Sequence, residues 1–302
     1  MKKFFVFLLT FSIFGFAACA DLSLVSPSAQ TSSAHTKVQV VTSFYPLYEI
    51  AKQVGGDYVE IKNLVPAGAE PHDYELTPKD IASVYESQIL VVNGAGLEPW
   101  LDRVSTDLKN QSKTVVVDES KLFPDLVKGD PHLWMNPVQY SKEVDAFAQA
   151  ISGVDPAHLD YYQTQAQRFQ KQLADLDQQF KNGLQKCSLR EFVTNHAAFG
   201  YLAKQYGLTM IAIAGLSPDA EPSVKTITDL IQLIKQKNIH YILTESLVSP
   251  KIADTIAAEA GAKTLVLNPL EGLTVDEMAQ GKNYISVMQE NLKNLQIALE
   301  CK

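Results

Sequence analysis

The chain has 302 residues, a formal net charge of −8 at neutral pH and three cysteines. An acidic chain without a basic patch argues against a nucleic-acid partner and mildly favours a cationic ligand. There is no P-loop lysine motif, so the chain cannot itself supply an ATPase of that kind, and no stretch beyond the N-terminus is long and apolar enough to span a bilayer.

In chain order, the first segment is a secretory signal rather than part of a fold. Lys2 and Lys3 form a basic start, Phe4 to Phe16 is a short apolar run, and small residues follow. The run ends in Ala17-Ala18-Cys19, which resembles a bacterial lipobox with Phe16 in place of the more usual leucine. The expectation is a signal peptide over 1–18, a lipid on Cys19 as the new N-terminus, and a Ser/Ala/Thr-rich tether over 19–36 in which His35 is inert. Removing residues 1–18 deletes Lys2 and Lys3 and no acid. That leaves 24 basic against 34 acidic residues, a net charge of −10.

The exported part is long enough for two domains with proper cores. Eight short β-branched runs follow: 38–43, 59–65, 89–93, 114–118, 191–195, 210–214, 241–245 and 264–268. They lack strict alternation and are separated by amphipathic helical patterns. This is the signature of parallel sheets covered on both faces. Residues 155–185 break the rhythm. Asp155 suits an N-cap and Pro156 the first helical position. Leu159, Tyr162, Ala166, Phe169, Leu173, Leu176, Phe180 and Leu184 recur at the helical period. About 30 residues make a rod of about 45 Å. The predicted fold is α/β: two lobes, each a mainly four-stranded parallel sheet flanked by helices, joined by one long rigid helix. The lobes are placed at 37–150 and 188–302, and the linking helix at 151–187.

Cys187 and Cys301 remain after Cys19. In an oxidising compartment two such cysteines are expected to pair. The alternative, a cysteine-containing metal site, lacks a ligand pattern near the penultimate residue Cys301.

Four unusual polar residues stand just beyond strand ends. His72 lies in PAGAEPHDYELTP after the second strand and His132 in GDPHLWMNP after the fourth. His196 follows the fifth strand and Glu271 the eighth. Open α/β sheets bind ligands at the carboxyl ends of their strands. Two residues belong to each lobe, so a cleft between the lobes would gather all four. Three imidazoles and one carboxylate suit zinc. Glu245, after the seventh strand, is placed to orient a ligand imidazole, and Asp130 and Glu70 are weaker candidates for the same role. Trp100 and Trp134 are read as packing around the cleft. His158 is read as a helix residue. His240 lies at the wrong end of its strand for a ligand.

The successive motifs NLVPAGAEPHDYELTPKD, NGAGLEPW, DPHLWMNP, NHAAFGYLAKQYGL, GLSPDAEPS and LTESLVSPK, together covering essentially 37–302, resemble those of a family. It is the zinc-binding substrate-binding lipoproteins of bacterial ABC metal importers, a family that includes manganese binders. The resemblance implies two lobes bridged by a rigid helix, with the metal held between them by His72, His132, His196 and Glu271. It also implies a non-enzymatic, high-affinity Zn²⁺ receptor on the outer face of the cytoplasmic membrane or in the periplasm. Such a receptor acts as a monomer, anchored through Cys19, and delivers zinc to a membrane permease driven by a separate ATPase. Manganese-binding relatives carry a carboxylate where this chain has His196. Many zinc members have a long His-rich loop before the second ligand, whereas ESKLFPDLVKGD here is short and has no histidine. The competing readings are a manganese receptor of the same family, a zinc hydrolase, and an adhesin with an incidental metal.

Overall fold

A computed structural model describes residues 36–111, 113–123, 129–218 and 220–302. The signal segment, Cys19 and the tether as far as His35 lie outside the described residues.

The first lobe runs β1 (Val38–Thr42), α1 (Tyr45–Gly55), β2 (Val59–Asn63), α2 (Pro78–Glu86), β3 (Ile89–Val92), α3 (Leu101–Gln111), β4 (Val115–Asp118) and α4 (Pro137–Val154). A long helix, α5 (Leu159–Gly183), follows. The second lobe runs β5 (Glu191–Thr194), α6 (Gly200–Gln205), β6 (Thr209–Ala212), α7 (Val224–Gln236), β7 (Tyr241–Thr244), α8 (Lys251–Ala260), β8 (Lys263–Val266), α9 (Val275–Ala279) and α10 (Tyr284–Ala298).

All strand pairs are parallel, in the orders β2-β1-β3-β4 and β6-β5-β7-β8. The two lobes therefore repeat one topology, and each reverses its strand order beside its first strand. That reversal splays the loops at the carboxyl ends of the strands and leaves a crevice there. Seven of the eight strands stop one or two residues before the end their apolar runs suggest; only β4 keeps its C-terminal end. The residues released include Asn195, Glu245 and Asn268, which leave the ladder to build the crevice.

The long helix differs from the expected one in two ways. Its first turn, Pro156–His158, is 3-10, and the α-helical part begins at Leu159. Asp155 stands at the N-cap of that 3-10 turn with Pro156 after it, as expected, but the α-helical part has His158 before it instead. Helix α4, not foreseen in the sequence, arrives immediately before it, so residues 151–154 belong to α4, and the Asp155 N–H bonds the Ile151 carbonyl to close that helix. The Asp155 carboxylate accepts from the Tyr162 hydroxyl at 2.7 Å and meets His158 Nδ1 at 2.6 Å. The start of α4 is fixed by Asn136, whose side chain accepts from the Val138 N–H, and by Pro137 in the first turn.

Helix α5 buries one stripe, Tyr162, Ala166, Phe169, Leu173, Leu176 and Phe180. It packs on α4 and α1 of the first lobe and on α10 of the second. One continuous core consequently runs from Val38 through α5 to Leu299. Phe169, Leu173, Leu176 and Phe180 each contribute roughly 1.5–3 kcal/mol by burial. Cys187, just before β5, is bonded to Cys301 behind α10, and the Lys302 N–H adds a bond to the Lys186 carbonyl.

Candidate metal centre

His132 and His196 are held by the same device in the two lobes. Asp130 Oδ1 accepts the His132 backbone N–H at 3.0 Å and meets its Nδ1 at 2.8 Å. Glu245 Oε1 accepts the His196 backbone N–H at 3.1 Å and meets its Nδ1 at 2.6 Å. A carboxylate at Nδ1 puts the proton there and leaves Nε2 with a lone pair for a metal. The Pro131 carbonyl beside His132 accepts from Asn93 Nδ2 at 2.8 Å. Asp130 reaches its place because residue 200 is glycine: a Cβ there would lie 2.6 Å from Asp130 Oδ2.

His72 sits in the loop between β2 and α2. Its backbone N–H donates to Glu70 Oε1 at 3.2 Å. The same loop crosses to the second lobe through the Gly68 N–H and the Leu273 carbonyl.

Glu271 stands at the end of a tightly held turn. Asn268 N–H donates to Asn291 Oδ1 at 2.8 Å, and Asn291 Nδ2 returns a bond to the Asn268 carbonyl at 2.7 Å. Asn268 Oδ1 accepts the Leu270 N–H at 2.7 Å. Leu270 has φ +59°, a left-handed conformation that costs a leucine energy unless its surroundings enforce it.

These four segments bring Nε2 of His72, His132 and His196 each to 3.2 Å from Glu271 Oε1. His132 and His196 Nε2 lie 3.3 Å apart, and the four donor atoms all fall within 4.8 Å of one another. A tetrahedral zinc with ligand bonds near 2.05 Å has donor–donor edges of about 3.3 Å. His132, His196 and Glu271 are buried, and the His72 side chain is 10% exposed. A cavity of about 440 Å³ reaches the edge of the site at Glu70 and Asn195.

The electrostatics are those of a cation site. Burial opposes ionisation of Glu271, but its bonds to His132, His196 and His72 outweigh that and hold the carboxyl well below its usual range. Burial likewise opposes protonation of the imidazoles. For His132 the bonds to Asp130 and Glu271 prevail and raise it; for His196 those to Glu245 and Glu271 raise it to about 10. Burial, then the charge of Glu271, lifts Glu70 to about 8. The site thus carries positive charge against its carboxylates, and a bound metal would take the place of protons. Glu271 Oε2 is buried without a hydrogen-bond partner among the described residues.

Of the other residues singled out in the sequence, His158 stacks on Tyr58 at 3.8 Å and His240 pairs with Glu300 at an exposed position. Both are away from the cluster. Trp100 packs in the first-lobe core with Val41, Leu90 and Val104. Trp134 does more than pack, because its indole N–H donates to the Pro269 carbonyl at 2.6 Å. The clamps by Asn93 and Asn291 and the left-handed Leu270 carry no local sequence signal and went unforeseen.

Residues 40–298 match the family model described as zinc-uptake complex component A, periplasmic. The chain is 39% identical to the high-affinity zinc uptake system protein ZnuA of Bacillus subtilis over 305 residues, 95% of this chain and 94% of that one. It is 38% identical to the zinc-binding lipoprotein AdcA of Streptococcus pneumoniae over 92% of its own length, and spans 59% of that longer protein. The crystal structure of the Zn(II)-bound ZnuA-like domain of Streptococcus pneumoniae AdcA superposes with a TM-score of 0.79 at 38% identity, covering 88% of this chain and all of that one.

Proposed function

The chain belongs to the family of periplasmic A components of zinc-uptake complexes, and on that premise we propose that it is an extracytoplasmic Zn²⁺ receptor. It performs no chemistry on its ligand. Zinc is cargo, held by His72, His132, His196 and Glu271, with Asp130 and Glu245 orienting two of the imidazoles. The two lobes, the first running from 37 to the end of α4 at Val154 and the second over 188–302, close over it from the two sides of the linking helix α5. The receptor is exported, held at the outer membrane face by a lipid on Cys19, and hands zinc as a monomer to a permease driven by a separate ATPase.

The observation that carries this reading is the spacing of the four donors: four of their six separations match the edges of a zinc tetrahedron and all fall within 4.8 Å. Three nitrogens among four donors favour zinc over manganese. A hydrolase needs an open water position on its metal, and four convergent side chains close it.

The test is metal analysis of protein purified without chelator, followed by calorimetric titration. The expected result is one zinc per chain, with affinity falling as the pH drops below about 10, where protons begin to compete for His196, and more steeply toward pH ~5 as they compete for all three imidazoles. His132→Ala is expected to lose at least about 100-fold in affinity, since a four-ligand zinc site is worth roughly 10–16 kcal/mol in all. Unchanged affinity in that variant would remove His132 from the site.

A further inference from the structure

Trp134 is fully buried, two residues beyond His132. Its indole N–H donates at 2.6 Å to the carbonyl of Pro269, two residues before Glu271. Its own carbonyl accepts the Tyr284 hydroxyl of α10 at 2.6 Å. One side chain therefore ties the segment bearing a ligand of the first lobe to the segment bearing a ligand of the second.

The turn it grips is strained. Leu270 lies between Pro269 and Glu271 in the left-handed region. A leucine stays there only when the surrounding bonds over-determine it. The bonds from Asn268 and Asn291 come from within the second lobe, whereas the Trp134 bond arrives from the first. Pro269 is itself buried, so without the indole its carbonyl would lose this partner away from water. The turn would then rotate to satisfy it and carry Glu271 out of register with His132.

We propose that Trp134 is a positioning residue for metal retention: its indole bond fixes Glu271 against His132 across the two lobes and slows zinc release. The proposal rests on the zinc-receptor reading and adds to it a residue that touches no metal.

The test uses the exported chain and three proteins: wild type, Trp134→Phe, and Phe44→Leu. Phe44 stacks edge-on against Trp134 at 4.7 Å, so its removal weakens the packing and leaves the indole bond in place. Zinc dissociation is followed by transfer to a chromophoric chelator, and the ligand field is read from the visible bands of the Co²⁺-substituted proteins. Trp134→Phe is expected to release zinc roughly tenfold faster, the cost of an unmade buried hydrogen bond, and to shift the Co²⁺ bands. Phe44→Leu is expected to lower thermal stability with neither change. A release rate within twofold of wild type in Trp134→Phe, or an equal acceleration in Phe44→Leu, would overturn the proposal.

Should Trp134→Phe not fold, exchange of the Trp134 indole proton in wild type decides. Coupling between sites is reciprocal, so zinc is expected to slow that exchange about tenfold, and identical exchange with and without zinc would overturn the proposal. If wild type itself fails to bind one zinc, the receptor reading falls, and this is distinguishable from failure of the Trp134 assignment alone.

Discussion

His132 and His196 face each other at 3.3 Å, and each is turned by a carboxylate that grips its backbone N–H and its Nδ1 together. Such a grip fixes the rotamer and keeps a proton on Nδ1, so each Nε2 points inward before any metal arrives and offers its lone pair once its own proton leaves. Selectivity is set by the donor atoms. His196 is the residue that makes the site nitrogen-rich, and His196→Glu would give two imidazoles and two carboxylates, a harder set. That variant is expected to lose much of its zinc affinity and to narrow the zinc-to-manganese ratio, measured by competitive titration of both proteins with both metals. It is not expected to become a good manganese site, because Glu245 faces position 196 as an acceptor shaped for an imidazole N–H, and it would meet a second carboxylate instead. A ratio unmoved by the substitution would sink the role given to His196.

At the scale of elements, α4 holds a liability unrelated to the metal. Glu143 on α4 and Glu119 in the turn after β4 are both fully buried, and neither carboxyl has a hydrogen-bond partner among the described residues. Burial lifts Glu143 to about 8, and burial with the charges of Glu143 and Asp118 lifts Glu119 well above its usual range. Both are therefore protonated in the folded protein near neutrality. In the unfolded chain a glutamate ionises near pH ~4.3. At these two groups the folded state then holds more protons than the unfolded one, so their contribution to stability is full below pH ~4.3 and declines as pH rises toward 8. The decline is at most about 1.4 kcal/mol per pH unit for each group. Glu143→Gln is expected to flatten this slope and to be more stable than wild type at pH ~8, as measured by urea unfolding across the range. A parallel displacement of the two pH curves would show that Glu143 does not titrate in that window.

For the whole molecule, the division of labour is spatial. The ligands gather at the carboxyl ends of the strands, whereas the Cys187–Cys301 bridge lies at the opposite end, before β5 begins. The bridge spans a sequence separation of 114 residues. In the chain-entropy model a loop of that size adds about 4–5 kcal/mol. The double variant Cys187→Ala/Cys301→Ala is expected to unfold at lower denaturant by up to that amount, with its zinc affinity unchanged. A parallel loss of zinc affinity would mean that the second lobe is not rigid enough without the bridge to present His196 and Glu271. The continuous core through α5 argues that it is, since Leu173, Leu176 and Phe180 pack in one cluster with Leu292 and Leu295 of α10.

The amino-acid sequence alone determined the α/β class, because apolar runs without alternation can be buried only in parallel sheets with helices on both faces. It determined the helical stripe of α5 through its period. It also picked out His72, His132, His196 and Glu271, because histidines and a lone acid beside Pro and Gly at strand ends have no ready place in a core. α4 was legible as well but went unread: Tyr140, Val144, Phe147 and Ile151 recur at the helical period behind an Asn136-Pro137 start. The sequence did not reveal the Trp134–Pro269 bond, the Asn268–Asn291 exchange or the left-handed Leu270. The first two join residues 135 and 23 positions apart, and no local propensity encodes such pairings. Four donors separated by up to 199 residues reach the edges of one tetrahedron only because two copies of the same sheet topology face each other. That distance is decided by the packing of the lobes, and tertiary structure alone supplies it.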